Sequence, residues 1–213
     1  MGVFIMTNVL FIKANSRPIE QAVSVKLYQA FLDSYKESHP EDMITELDLF
    51  QENLPFYGVN EINGTFKSAN GMELTAEEQA SVNTVNKYLE QFLAADKVVF
   101  AFPLWNFTVP AVLHNYMDYL SQTGKTFKYT AEGPVGLAGD KKVILLCAKG
   151  GVYSEGPMKE IDLSERYVKT VLGFWGIQEP STIVIEGHNQ YQDRAEEIIE
   201  EGLKKAAIAA QTF

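Results

Sequence analysis

The stretch that decides the fold is "VVFAFPLWNFTVPAVLHNYMDYL", Val98 to Leu120. Its first five residues form a run with no polar side chain, the signature of a strand buried on both faces rather than one with a wet side. Pro103 stops that strand. Trp105, Asn106 and Phe107 follow, then Pro110 and an amphipathic helix. The two prolines fix φ and restrict the residues before them, so the short backbone between them is held rigid. A flat heteroaromatic ligand binds well to such an edge, with N–H groups and an amide to pair with and apolar side chains against its ring. Packing alone accounts for most buried aromatic residues. Asn106 argues for the ligand, because an amide buried among aromatics needs partners.

Outward from this strand, signals of the two periods alternate. "NVLFIKAN" (Asn8 to Asn15) is a short apolar strand. "IEQAVSVKLYQAFLDSYKES" places Val23, Leu27, Ala30, Phe31 and Tyr35 on one helical face. "DMITELDLF" alternates as an edge strand does, and "TAEE" from Thr75 is a capping box that opens a helix to about Ala94. "KVVFAF" is the most hydrophobic strand and therefore central. "KKVILLCAKGG" is a second buried strand, "STIVIEG" a last one, and "NQYQDRAEEIIEEGLKKAAIAA" a closing helix. This order predicts an α/β fold: an open parallel sheet of about five strands with helices on both faces. Residues 1–213 read as a single domain, with no linker, repeat or low-complexity segment.

Two stretches break the alternation. Gln51 to Leu74 shows no period and is long for a connection, so it reads as a loop. Its Phe56, Tyr57 and Phe66 favour a lid or a partner contact over disorder. Thr123 to Lys142 is rich in glycine turns.

Composition narrows the function classes. The chain has 28 acids against 18 bases, a net charge of −10, which disfavours nucleic acid and anionic membranes as partners. Met1 to Asn8 is apolar but lacks the basic start and small-residue cleavage site of a signal peptide, so it reads as the lead-in to a strand. No window is long and apolar enough to span a bilayer. With one cysteine, Cys147, no internal disulfide is possible, and a cytoplasmic location is expected. The three histidines are scattered without a metal-binding spacing, so no metal is expected. Cys147 lies within a buried strand and reads as inert packing.

In open parallel sheets ligands sit outside the carboxyl ends of the strands. Three connections therefore matter: Asn15 to Ser24, Pro103 to Phe107, and "AKGGVYSEGP" from Ala148. The first leads into a helix start, whose unpaired N–H groups and positive partial charge can hold a phosphate without a lysine, aided by Asn15, Gln21 and Ser24. An ordinary helix start is the competing reading. The third carries Gly150-Gly151, which permit φ > 0 or close backbone approach, followed by Tyr153. A phosphate-holding helix start, an aromatic and amide edge and a glycine loop on one rim suit a flavin mononucleotide, which would supply the redox chemistry.

The segments "FPLWNFTVPAVLHNYMDYL", "GKTFKYTAEGPVGL", "AKGGVYSEGP" and "LGFWGI", with "FIKAN" near the start, resemble the FMN-dependent NADH-azoreductase family, also described as NADH:quinone oxidoreductases of flavodoxin-like fold. The resemblance implies a homodimer with one FMN per subunit near the interface, and a ping-pong cycle in which NADH reduces the flavin and a quinone or azo compound reoxidises it. Carried over by position, Asn15, Gln21, Ala22, Val23 and Ser24 would surround the ribityl phosphate. Pro103, Leu104, Trp105, Asn106 and Phe107 would line one edge of the ring; Ala148, Lys149, Gly150, Gly151 and Tyr153 would meet its other side. Tyr129 and Phe174 would border the substrate space with help from a partner subunit, and Phe56 and Tyr57 are further substrate candidates. No covalent catalytic residue is implied. Lys149 and the Gly150-Gly151 N–H groups would offset charge on the reduced ring, and Tyr153 is a proton source. Ala22 and Glu20 depart from the family's hydroxyl-rich phosphate loop. A flavin or nitro reductase and a flavodoxin-type electron carrier are the alternatives, the carrier disfavoured by the absence of a Gly- and Thr-rich phosphate loop.

Overall fold

The computed structural model describes residues 6–213; of the apolar lead-in, Met1 to Ile5 therefore lie outside the described residues. Five parallel strands, β1 (Asn8–Lys13), β2 (Met43–Asp48), β3 (Lys97–Pro103), β6 (Lys142–Lys149) and β7 (Ser181–Glu186), form one sheet in the order β2-β1-β3-β6-β7. The remaining strands, β4 (Phe127–Thr130) and β5 (Gly133–Gly136), make a separate antiparallel hairpin. As expected from its sequence, β3 is the middle strand, flanked in register by Leu10↔Val98 and Val98↔Val143.

Side chains alternate across the sheet, and each face has its own core. On one face Val9, Phe11, Val99, Ala101, Ile144 and Leu146 pack under α1 (Val23–Ser38) and α6 (Ala195–Ala210). On the other, Leu10, Ile12, Phe100, Phe102, Leu145 and Cys147 pack under α3 (Ala76–Ala94), α4 (Ala111–Leu120) and α5 (Ser164–Phe174). The capping box at Thr75 is present, with Glu78 N donating to Thr75 Oγ1 and Thr75 N to Glu78 Oε2.

Three departures from the sequence reading stand out. Gln51 to Leu74 is no structureless loop: it contains α2 (Val59–Ala69), eleven residues started by Gly58, whose N–H donates to Glu61 Oε2. With Asn60, Asn63 and Gly64 inside it, intrinsic propensity is weak. Packing supplies the order instead: a Cβ on Gly64 would lie 2.9 Å from the Glu78 carbonyl, so only glycine lets α2 sit against α3. The glycine-rich Thr123 to Lys142 segment holds the β4–β5 hairpin, docked where Ala138 N donates to Trp175 O. The helix α5 was not anticipated.

Candidate active site

All strands of the main sheet are parallel, so their carboxyl ends share one rim, and strand order reverses between β1 and β3. The connections after β1, β3 and β6 meet there around a cavity of about 570 Å³. Asn15, Gln21, Ala22, Val23 and Ser24 line one end; Pro103, Leu104, Trp105, Ala148 and Gly150 line the other. The Leu104 N–H donates to Ala148 O at 2.9 Å, tying the second connection to the third. A shallower space of about 510 Å³ continues past Leu104 and Gly150 and is bordered by Asn106, Phe107, Gly151 and Tyr153.

At the first end, Asn15 is buried and its amide is fixed: Oδ1 accepts from Arg17 N (3.0 Å) and Nδ2 donates to Ser24 Oγ (2.9 Å). Because Ser24 Oγ accepts from Asn15, its own proton is left for another acceptor. Ala22 sits at the N-cap of α1 and offers no side-chain cap. Val25 N turns back to Ala22 O at 3.0 Å, so the N–H groups of Val23 and Ser24 are the ones left to a ligand. The Ala22 departure noted in the sequence thus frees donors rather than removing them. The expectation of a phosphate site without lysine needs correction, since Lys26 and Arg17 both line this cavity, against the single acid Glu20. Sequence inspection missed Lys26 because it lies one turn inside the helix; only the helical path returns it to the mouth.

Asn106 is the clearest correction. It is exposed, not a buried amide, and stands with Phe107 at the tip of a two-residue turn closed by Trp105 N to Thr108 O (2.8 Å) and Thr108 N to Trp105 O (3.0 Å). Both tip residues have positive φ, 47° and 69°. Asn tolerates that region through its short polar side chain; Phe does not, and the geometry is held by Leu163 N donating to Phe107 O (2.8 Å). Thr108 Oγ1 lies 3.1 Å from Nε2 of His114 on α4, whose ring packs on Tyr167. Trp105 packs edge-on against Phe50.

In the third connection neither Gly150 nor Gly151 adopts a positive φ. Gly150 is needed for closeness instead: a Cβ there would lie 2.5 Å from Asn189 Nδ2. Backbone bonds from Asn189 N and Gln190 N to Gly150 O, and from Gly187 N to Gly151 O, lash this loop to the turn after β7. Glu186 accepts from Tyr153 N and Ser154 N and sets the course of the chain beyond. Tyr153 borders the shallow space.

The Lys149 side chain departs from its assigned role. Its Nζ is buried between Asp162 Oδ2 (2.7 Å) and Glu165 Oε1 (2.5 Å), among residues bordering a different cavity, and it does not line the space at Gly150. Burial works to lower its pKa, but the two carboxylates outweigh that and raise it. A cation so neutralised is unavailable to offset charge on a ligand. Cys147 meets expectation, with burial pushing its thiol up to about 12. Tyr57 packs edge-on against Tyr119, and its hydroxyl accepts from Gln122 Nε2 (3.1 Å), so it belongs to the packing rather than to a substrate space. Phe56 is 85% exposed. Tyr129 and Phe174 border neither space; they pack around Phe127, with ring centroids at 5.5 and 4.5 Å.

The donor set fits FMN. One end offers helix N–H groups, a serine hydroxyl and two cations; the other offers an apolar edge and a backbone kept close by a glycine whose Cβ would displace Asn189. Comparison with known proteins points the same way. The model of the family described as having a flavodoxin-like fold matches residues 7–208. A Brevibacillus brevis protein named FMN-dependent NADH:quinone oxidoreductase is 64% identical over 208 residues, 98% of this chain and all of the relative; a Bacillus subtilis protein of that name is 60% identical over the same span. Among solved structures, an azoreductase of Bacillus anthracis superposes with a TM-score of 0.95 at 63% identity, covering 98% of this chain and all of that one. A second protein from that species, an FMN-dependent NADH-azoreductase in complex with FMN, gives 0.89 at 29% identity over 97% and 99% of the two chains. The chain belongs to the flavodoxin-like family, among relatives named FMN-dependent NADH:quinone oxidoreductases.

Proposed function

We infer that this protein is an FMN-dependent NADH:quinone oxidoreductase that also reduces aromatic azo compounds. One observation carries the reading: three strand-end connections enclose a single cavity with an anion-binding end and an apolar, aromatic end, in a chain whose relatives carry that name along their whole length. Bound FMN would supply the two-electron redox chemistry between NADH and the quinone or azo acceptor. The protein's own residues would hold and orient. Asn15 aims Ser24, and the first turn of α1 with Arg17 and Lys26 would bind the phosphate. Leu104, Trp105, the Asn106-Phe107 turn and Gly150-Gly151 would border the ring, and Tyr153, which borders the same space, would be the proton source. Rigid placement is their main contribution, since hydride transfer requires close, aligned contact.

We further propose that the working unit is a homodimer of single-domain subunits in the cytoplasm. Val59, Ile62 and Phe66 form an exposed stripe along α2, continued by Phe56, and Tyr129 is 69% exposed. Apolar surface of that kind marks an interface. Tyr129 and Phe174, which border neither space in their own subunit, would then serve the partner's flavin. Among the described residues no helix is long and apolar enough to cross a membrane.

An absorbance spectrum of the purified protein before and after anaerobic NADH tests the assignment. Flavin bands that bleach within seconds and return on adding quinone are expected; a protein that takes up no FMN, or whose flavin ignores NADH, refutes it. Light scattering on a sizing column tests the dimer, and a mass near 24 kDa, that of one chain, refutes it.

A further inference from the structure

Two segments face each other across the shallow space: the Asn106-Phe107 turn, and Gly150-Gly151 with Tyr153. At their base Leu104 N donates to Ala148 O at 2.9 Å. Toward the tip of the turn the link is indirect. Phe107 holds a φ of 69°, a region costly for a bulky residue and kept only where the surroundings over-determine it. The hold from outside the turn is Leu163 N, which donates to Phe107 O at 2.8 Å. Leu163 is itself 46% exposed, so packing of its own side chain does little to place that N–H.

Its neighbour Asp162 does. Asp162 Oδ1 accepts from Ser164 N (2.9 Å) and Ser164 Oγ (2.6 Å), closing the chain around Leu163. Asp162 Oδ2 meets Lys149 Nζ at 2.7 Å. Lys149 is the last residue of β6 and directly precedes Gly150. Lys149, Asp162 and Ser164 are all buried, and charge-assisted bonds shielded from water are strong and demanding in geometry. One carboxylate is thus bonded on one side to the strand that carries the glycine loop, and on the other to the segment that holds the turn.

We propose that Asp162 is a positioning residue for the flavin ring: paired with Lys149, it sets the separation of the Phe107 turn from the Gly150-Gly151 loop, and with it the slot in which the ring lies. The inference rests on the FMN reading above. Asp162 lines neither the larger cavity nor the shallow space. It acts through Leu163 N and Phe107 O.

The test is Asp162→Asn, which keeps the side chain's size and an oxygen for Ser164 but removes the charge that fixes Lys149. The first readout is equilibrium binding of FMN and of riboflavin, which lacks the phosphate, to the flavin-stripped protein, followed by quenching of flavin fluorescence. A loss of at least about fivefold is expected, equal for the two because they share the ring, with a change in the visible circular dichroism of the bound flavin. The second is the first-order rate constant for anaerobic bleaching of bound flavin at saturating NADH, expected to fall about 10- to 100-fold, since a misplacement of about 1 Å can cost that much. A role in stability alone would move neither, because both are properties of folded, flavin-loaded molecules. Phe107→Gly supplies the control: glycine takes a positive φ without a tether, so adding Asp162→Asn to it is expected to slow bleaching less than about threefold. Wild-type binding and bleaching in Asp162→Asn overturn the proposal. So does a loss confined to FMN, which would act at the phosphate, or an undiminished loss in the Phe107→Gly background, which would bypass the turn. If Asp162→Asn does not fold, Ser164→Ala carries the test: it removes one bond to Asp162 and keeps the ion pair, and bleaching at least about threefold slower is expected, whereas unchanged bleaching overturns the proposal. Wild-type protein that binds neither flavin refutes the cofactor reading itself, an outcome distinct from all of these.

Discussion

Removing the Lys149 ammonium should cost the fold more than any other single loss of charge near the site. Its side chain is 3% exposed and bridges Asp162 and Glu165, whose side chains are 9% and 19% exposed. In Lys149→Met, Asp162 keeps only the Ser164 N–H and hydroxyl, at 2.9 and 2.6 Å, and Glu165 keeps Lys169 at 2.9 Å. Breaking a buried pair by deleting one partner costs about 3–5 kcal/mol; since Glu165 retains a cation, about 3 kcal/mol is expected. For a chain of this length that is a fall in melting temperature of about 6–12 °C. The pH dependence carries the sign. In the wild type burial works to raise both carboxyl pKa values, but hydrogen bonds from Lys149, and from Ser164 or Lys169, outweigh it and lower them. Their stabilisation is thus present above the unfolded carboxyl range near 4 and is lost as pH falls below it. In the variant burial is less opposed, both pKa values rise relative to the wild type, and the penalty present at pH 7 shrinks as pH falls and the groups protonate. Urea unfolding of the flavin-stripped protein at pH 7 and pH 5 measures this. A loss under about 1 kcal/mol at pH 7, or one that does not change with pH, would show that the cluster is not the buried network described.

Three further outcomes are expected. Asn106→Gly keeps the positive φ at no steric cost and should leave stability within about 0.5 kcal/mol, whereas Asn106→Val should lose about 1–3 kcal/mol, read by denaturant unfolding. Gly150→Ala must displace Asn189 and should weaken FMN binding in a fluorescence titration, while Gly151→Ala, whose Cβ would meet nothing nearer than 3.4 Å, should bind nearly normally. Removing Arg17 and Lys26 together should raise the FMN dissociation constant at least about tenfold and flatten its dependence on salt, because those cations face the phosphate end of the cavity.

Sequence periodicity and composition alone determined the five-stranded parallel sheet and its covering layers, though not α2, α5 or the β4–β5 hairpin. Each strand of the main sheet is a run apolar enough to need cover, and each connecting helix carries a stripe to supply it. The two-residue and 3.6-residue periods therefore state the layers directly, and parallel topology follows from the alternation. The three rim connections were legible for the same reason, since strand ends are marked by Pro103 and by Gly150-Gly151. Side-chain direction was not legible. Whether Asn106 is buried depends on a two-residue turn whose positive φ values are imposed partly by Leu163, far along the chain. Lys149 follows alternation to the α5 face, where Asp162 and Glu165 await it, and α5 itself was not foreseen. Lys26 reaches the cavity only through the helical path of α1, and α2 is ordered by a contact between Gly64 and α3. Local pattern fixes which backbone groups must pair and which faces must be covered. Long-range packing decides where the polar ends of side chains finish, and in this protein that decides the chemistry of the cavity.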